Sequence, residues 1–240
     1  MNTLIVFFSS LLGGFVQTVS GFGCGIVMML FLPYFIPLFQ ASGLSVLICT
    51  TLNVLLVVKY RKFTRFKLVI APAAVSFLVS TICIYYSSRL NLASMKMIFS
   101  LFLIALAIYF IFFSEKIQLK SNLQTVIICA ALAGAANGLF GIGGPPMALY
   151  FLAVTTGKEE YIGTTQTYFL LTSVYTTVVR IIGGILDAQL LFLSVPGILA
   201  ILLGGWIGIR VVDKISHNKM KQVIYYALAT AGVITFLQCL

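Results

Sequence analysis

Eight stretches of this sequence contain no Asp, Glu, Lys, Arg or His, and they cover roughly residues 3–39, 42–58, 68–86, 97–113, 124–156, 161–179, 190–209 and 222–240. An α-helix rises 1.5 Å per residue, so about 20 apolar residues cross the hydrocarbon of a bilayer. Six of the runs are close to that length. Lipid offers no hydrogen bonds to a backbone, so segments of this kind span it as helices. Composition agrees: 61% of the 240 residues are hydrophobic and 8% are charged, whereas a water-soluble domain carries about 25% charged residues. The fold class expected is an all-α polytopic membrane protein.

The first and fifth runs are too long for one straight span, and each is interrupted near its centre. The interruptions are Gly21-Phe22-Gly23-Cys24-Gly25 and Gly141-Ile142-Gly143-Gly144-Pro145-Pro146. Each run therefore reads as a helix, a break and a second helix. A shift of 120 residues superposes the two, placing Gly14 on Gly134, Gly21 on Gly141, Gly23 on Gly143, Phe31 on Phe151, Leu32 on Leu152 and Gln17 on Asn137. The same shift pairs Gly43 with Gly163 and Asn53 with Ser173, and a shift of 124 pairs Pro72 with Pro196. The chain divides into two halves, 1–120 and 121–240, within one membrane domain. Each half holds a glycine-broken helical hairpin and three transmembrane helices, the layout of transporters whose repeats meet at a binding site.

Charge distribution orients the halves. If each broken run returns to the side it started from, the loops 59–67, 114–123, 157–160 and 210–221 share one side and carry twelve of the fifteen Lys and Arg. If each crosses once, the division is eight against seven and orients nothing. Positive charge collects on the cytoplasmic side, so hairpins, inverted repeats and outward termini are expected. The cluster Lys59, Arg61, Lys62, Arg65 and Lys67 then anchors topology, and the net charge of +10 implies no nucleic acid. Residues 1–6 lack the basic region of a secretory signal, so the first helix is expected to be retained.

A break at membrane depth leaves backbone groups unpaired, at several kcal/mol each in hydrocarbon, unless protein or a watery cavity receives them. Where the helix restarts, its first N–H groups carry partial positive charge and form an anion site without a cationic side chain. Pro145 and Pro146 suit a first helical turn. The substrate-binding residues expected are Gly21, Gly23, Cys24 and Gly25 in one break and Gly141, Gly143, Gly144 and Pro145 in the other. Gln17, Ser20 and Asn137 lie beside them, and Asn53 and Gln166 lie on the following spans with Thr50, Thr51, Thr164, Thr165, Thr172 and Ser173. Arg180 ends the sixth run and would either guide anions or extend to the interface. The competing account of the glycines is close helix packing of the Gly-x-x-x-Gly kind. No metal, cofactor or catalytic residue is expected. The five cysteines show no Cys-x-x-Cys spacing, a single histidine is present, and the acids Glu115, Glu159, Glu160, Asp187 and Asp213 all read as loop residues.

The run Gly138-Leu139-Phe140-Gly141-Ile142-Gly143-Gly144-Pro145-Pro146, its degenerate partner at residues 21–25 and the duplicated layout resemble the TauE/SafE (sulfite exporter, TSUP) permeases. Phe22 and Cys24 depart from a fuller glycine run in the first half. The resemblance implies a non-enzymatic exporter of small sulfur-containing anions such as sulfite or sulfonates in a bacterial inner membrane. Its partners would be that anion and the lipid bilayer, with a homodimer left open. Outward movement of an anion from a cell negative inside gains about 2.3 kcal/mol per charge per 100 mV. Two other readings stand beside it: a secondary carrier for a neutral or cationic solute, and a membrane thiol oxidoreductase. The last would want matched thiols in the two halves, but Cys24 falls opposite Gly144.

Overall fold

A computed structural model describes residues 2–87, 92–108 and 122–211. The eighth apolar run at 222–240, the boundary between the halves at 120 and the basic segments 114–121 and 212–221 lie outside the described residues. Among the described residues there are nine α-helices and no strand. The first half contains α1 (Asn2–Ser20), α2 (Cys24–Phe31), α3 (Leu38–Tyr60), α4 (Phe66–Ser87) and α5 (Leu92–Ile108). The second contains α6 (Leu123–Phe140), α7 (Gly144–Val154), α8 (Lys158–Ile182) and α9 (Ala188–Val211). Short 3-10 turns at Leu32–Tyr34 and Arg61–Phe63 bracket α3.

Local chemistry sets several of these limits. Asn122 accepts the N–H of Thr125 at 2.8 Å and starts α6, and Asp187 accepts that of Leu190 at 2.8 Å and starts α9. Each is a side-chain cap on an orphan N–H. Glu159 and Glu160, expected in a loop, lie in the first turn of α8. A carboxylate is favoured there by the partial positive charge of the helix end. The helix therefore begins before the charge-free run does. Pro72 and Pro196 both lie inside helices, α4 and α9.

Both broken runs fold back on themselves. Ser10 on α1 reaches Met28 on α2, Oγ to Sδ 3.9 Å. In the second half, Met147 and Phe151 of α7 pack in one buried cluster with Ala130 and Ala133 of α6. At 1.5 Å per residue, the 8 residues of α2 and the 11 of α7 extend only about 12 and 16 Å, roughly half a hydrocarbon core. Five helices, α1, α3, α4, α6 and α9, are long and apolar enough to cross a bilayer. At 25 residues α8 is longer than any of them, but it buries a row of Thr, Ser and Gln instead.

The packing exchanges elements between the halves. One core cluster is built mainly from α1, α2, α3, α5 and α9, around Met28, Leu44, Leu52 and Ile201, and takes in Phe140 at the end of α6; the other is built from α4, α6, α7 and α8, around Ala130, Met147, Phe151 and Tyr168. The α1–α9 and α4–α6 contacts are close. A Cβ on Gly134 would approach the Ser76 carbonyl oxygen to 2.9 Å, and one on Gly138 the Ser80 carbonyl oxygen to 2.7 Å. These two glycines, four residues apart, act as small-residue packing positions. Between the clusters, α3 and α8 run antiparallel. Asn53 meets Ser173 at 3.3 Å, Thr64 meets Thr167 at 3.2 Å, and Arg65 pairs with Glu160 at 2.7 Å. Loops 59–67 and 157–160 therefore lie at the same end of the bundle.

Candidate functional site: a cavity between two helix breaks

The two breaks touch. A Cβ on Gly25 would fall 2.7 Å from the carbonyl oxygen of Gly141, and one on Gly144 would fall 3.4 Å from Phe22 Cβ. Glycine at position 25 is thus a condition for the breaks to meet. Gly21 and Gly141 take left-handed conformations, φ 83° and 69°, and turn the chain out of α1 and α6. Such angles suit glycine.

Beside this junction lies a half-open cavity of about 60 Å³, large enough to admit water. Gln17, Gly23, Gly25, Asn137, Gly141, Gly143, Gly144 and Pro145 line it from the breaks, and Asn53 lines it from α3. Thr172 and Ser173 contribute from α8. No described residue of the lining carries a charge. The wall includes the middle of α3 and of α8, the two helices packed between the core clusters.

Several candidates lie outside the wall and support it. Gln166 is fully buried; its Nε2 donates to the carbonyl of Gly21 at 2.7 Å, while its Oε1 accepts from Gln17 Nε2 at 3.1 Å. Gln17 Nε2 also donates to Asn53 Oδ1 at 2.6 Å, so three buried amides join α1, α3, α8 and the first break into one network. Networks of this kind fix a geometry when their members are satisfied. Ser20 turns inward on the first break, donating toward the carbonyls of Val16 and Phe22. Cys24 is fully buried with its sulfur 2.6 Å from that of Cys49.

Arg180 neither lines the cavity nor reaches an interface. Its side chain is completely buried, and Nη2 donates to the carbonyls of Asn137 at 2.7 Å and Gly138 at 3.0 Å. It thereby caps the C-terminal end of α6, where the helix carries partial negative charge. Nε and Nη1 have no partner among the described residues.

The donors that remain for a guest are few and mostly backbone. No side chain caps the first turn of α2, so the N–H groups of Cys24, Gly25 and Ile26 have no intrahelical acceptor. In α7 the second and third positions are Pro145 and Pro146, which have no N–H to offer, and Gly144 alone supplies a first-turn donor. The hydroxyls of Thr172 and Ser173 turn back on carbonyls of α8, those of Tyr168 and Leu170 among them. The side-chain amide of Asn137 makes no hydrogen bond to the described residues and is free for a guest.

Val46, Cys49, Tyr168 and Phe169 also line the cavity, with Ile26, Ala133 and Ile142, and none of the seven was among the residues expected from the sequence. Helical spacing was the available signal. Val46 and Cys49 lie seven and four residues before Asn53, and Tyr168 and Phe169 lie four residues before Thr172 and Ser173, on shared faces.

A family model described as "Sulfite exporter TauE/SafE" matches residues 6–235. The chain belongs to the TauE/SafE sulfite exporter family. It is accordingly a membrane transporter. No curated protein and no solved structure gave a significant match.

Proposed function

We propose that this TauE/SafE protein carries a small sulfur oxyanion, sulfite or a short sulfonate, outward across a bacterial inner membrane, and that the cavity between the breaks binds it. The observation that carries the reading is the meeting of the two interrupted helices at one cavity. Free N–H groups of α2, the Gly144 N–H and the Asn137 amide converge there, and no described carboxylate approaches. An anion is stabilised by such donors, most where protein rather than bulk water surrounds them. A cation would instead need oxygen ligands or carboxylates.

The antiparallel pairing of α3 with α8, the Arg65–Glu160 contact and the exchanged cores support inverted halves with loops 59–67 and 157–160 in the cytoplasm. In that arrangement the cavity lies near the bilayer midplane, and alternate opening of the halves gives access from either side.

Thermal unfolding of the purified protein against sulfite, thiosulfate, short sulfonates, carboxylates, monovalent cations and sugars tests the reading. Stabilisation by sulfur oxyanions, rising with the logarithm of their concentration above Kd, is expected. A response confined to cations or sugars would overturn it.

A further inference from the structure

Cys24 and Cys49 lie 25 positions apart in the same half, in α2 and α3, and their sulfurs are 2.6 Å apart, well inside the van der Waals contact of two unbonded thiols. Met28 Sδ stands 3.8 Å from Cys24 Sγ. Both cysteines are buried, and Cys49 belongs to the cavity wall while Cys24 occupies the first position of α2. A small solute that enters the cavity therefore reaches the pair through Cys49. The adjacent Gly25 and Ile26 of the α2 tip line the same cavity.

We infer that Cys24 and Cys49 form an oxidisable pair, a modification site for small peroxides that enter the cavity, and that the resulting disulfide fastens the α2 tip to α3 and arrests transport. The chemistry balances with hydrogen peroxide as oxidant. The Cys49 sulfur attacks one peroxide oxygen, the O–O bond breaks, and a sulfenic acid forms with release of one water. Cys24 then attacks that sulfur, the S–S bond forms, the S–O bond breaks, and a second water leaves. The two thiols lose two electrons and two protons, and the peroxide takes them up. The consequence is mechanical. The α2 tip carries most of the free N–H donors of the cavity, and any opening that draws it away from α3 is blocked by a covalent bond between them. Matched thiols across the two halves are not required, because the pair lies within one half.

The arrest of transport rests on the proposed function, whereas formation of the bond does not. The test uses a variant in which Cys83, Cys129 and Cys239 are replaced by serine, so that only the pair remains. After hydrogen peroxide, intact-protein mass should fall by two hydrogens, both cysteines should resist alkylation under denaturing conditions, and dithiothreitol should reverse both changes. Sulfite flux in proteoliposomes should drop to background on oxidation and return on reduction of the same sample, which controls for folding. Adding C24S or C49S should abolish the sensitivity. Thiols that stay alkylatable, or an oxidised protein with unchanged flux, would overturn the inference. If the reduced protein moves no sulfite, the transport reading fails by itself; the pair is then judged by its mass change and by slower amide exchange in α2 on oxidation, and an α2 that exchanges unchanged would also overturn it.

Discussion

The two helix breaks lie 120 residues apart in the chain and meet at one cavity, yet they are completed by different chemistry. At the first, a neutral amide, Gln166, receives the carbonyl of Gly21, and the tip of α2 keeps all three of its leading N–H groups. At the second, a buried guanidinium, Arg180, receives the carbonyls of Asn137 and Gly138, and two prolines remove N–H groups from the tip of α7. At the second break it is Val46, a methyl group and no amide, that stands against Gly141. One break is therefore rich in donors and sealed without charge; the other is poor in donors and sealed by a cation. Hydrogen-bonding capacity that the second break lacks in its own helix is offset by charge lent from α8.

The largest effect is expected where the breaks depend on each other. Gly25→Val would drive a side chain into the Gly141 carbonyl, and transport should fall to background in a proteoliposome flux assay while the protein still inserts. Wild-type flux in that variant would show that contact of the breaks is dispensable. Next is the neutral seal: Gln166→Leu leaves the Gly21 carbonyl and Gln17 short of partners. It should lower stability by about 1–3 kcal/mol, visible as an earlier thermal unfolding transition in detergent.

The charged seal should act more on binding. Arg180→Met is expected to weaken sulfite affinity by roughly tenfold, the order of one charge acting through protein at an effective dielectric near 20, while Arg180→Lys keeps most of it. Equal loss in both variants, read by sulfite titration, would assign Arg180 to shape instead of charge. The smallest effect is a gain. Pro145→Ala returns an N–H to the tip of α7, and anion affinity should rise about two- to fivefold, from a helix-end contribution of about 0.3–1 kcal/mol. An affinity that is unchanged would show that the guest sits wholly on the α2 side.

Much of this was legible in the residues. Runs free of charge gave the helices, since a backbone in lipid must bond internally and apolar runs of about 20 residues do so as helices, and the glycine clusters gave the breaks because each interrupts a run too long for one span. Gln17, Asn53 and Asn137 were visible as amides too costly to leave idle in a membrane. The cavity faces of Val46, Cys49, Tyr168 and Phe169 were not, because apolar and aromatic residues in such a chain are everywhere and only packing tells a cavity wall from a lipid face. Arg180 was read as a guide or an interface residue for a related reason. Its location at the end of an apolar run is the same whether its head finds water or the carbonyls of another helix.

The sequence by itself determined that the chain lives in a bilayer as helices and that two of its runs are broken. Solvent and backbone chemistry impose those facts residue by residue. Only the tertiary structure decided that the breaks touch at Gly25 and Gly141, that Arg180 serves α6, and that Cys24 faces Cys49. Each is a meeting of segments far apart or on separate helices, and such meetings are set by how helices pack, which no local pattern encodes.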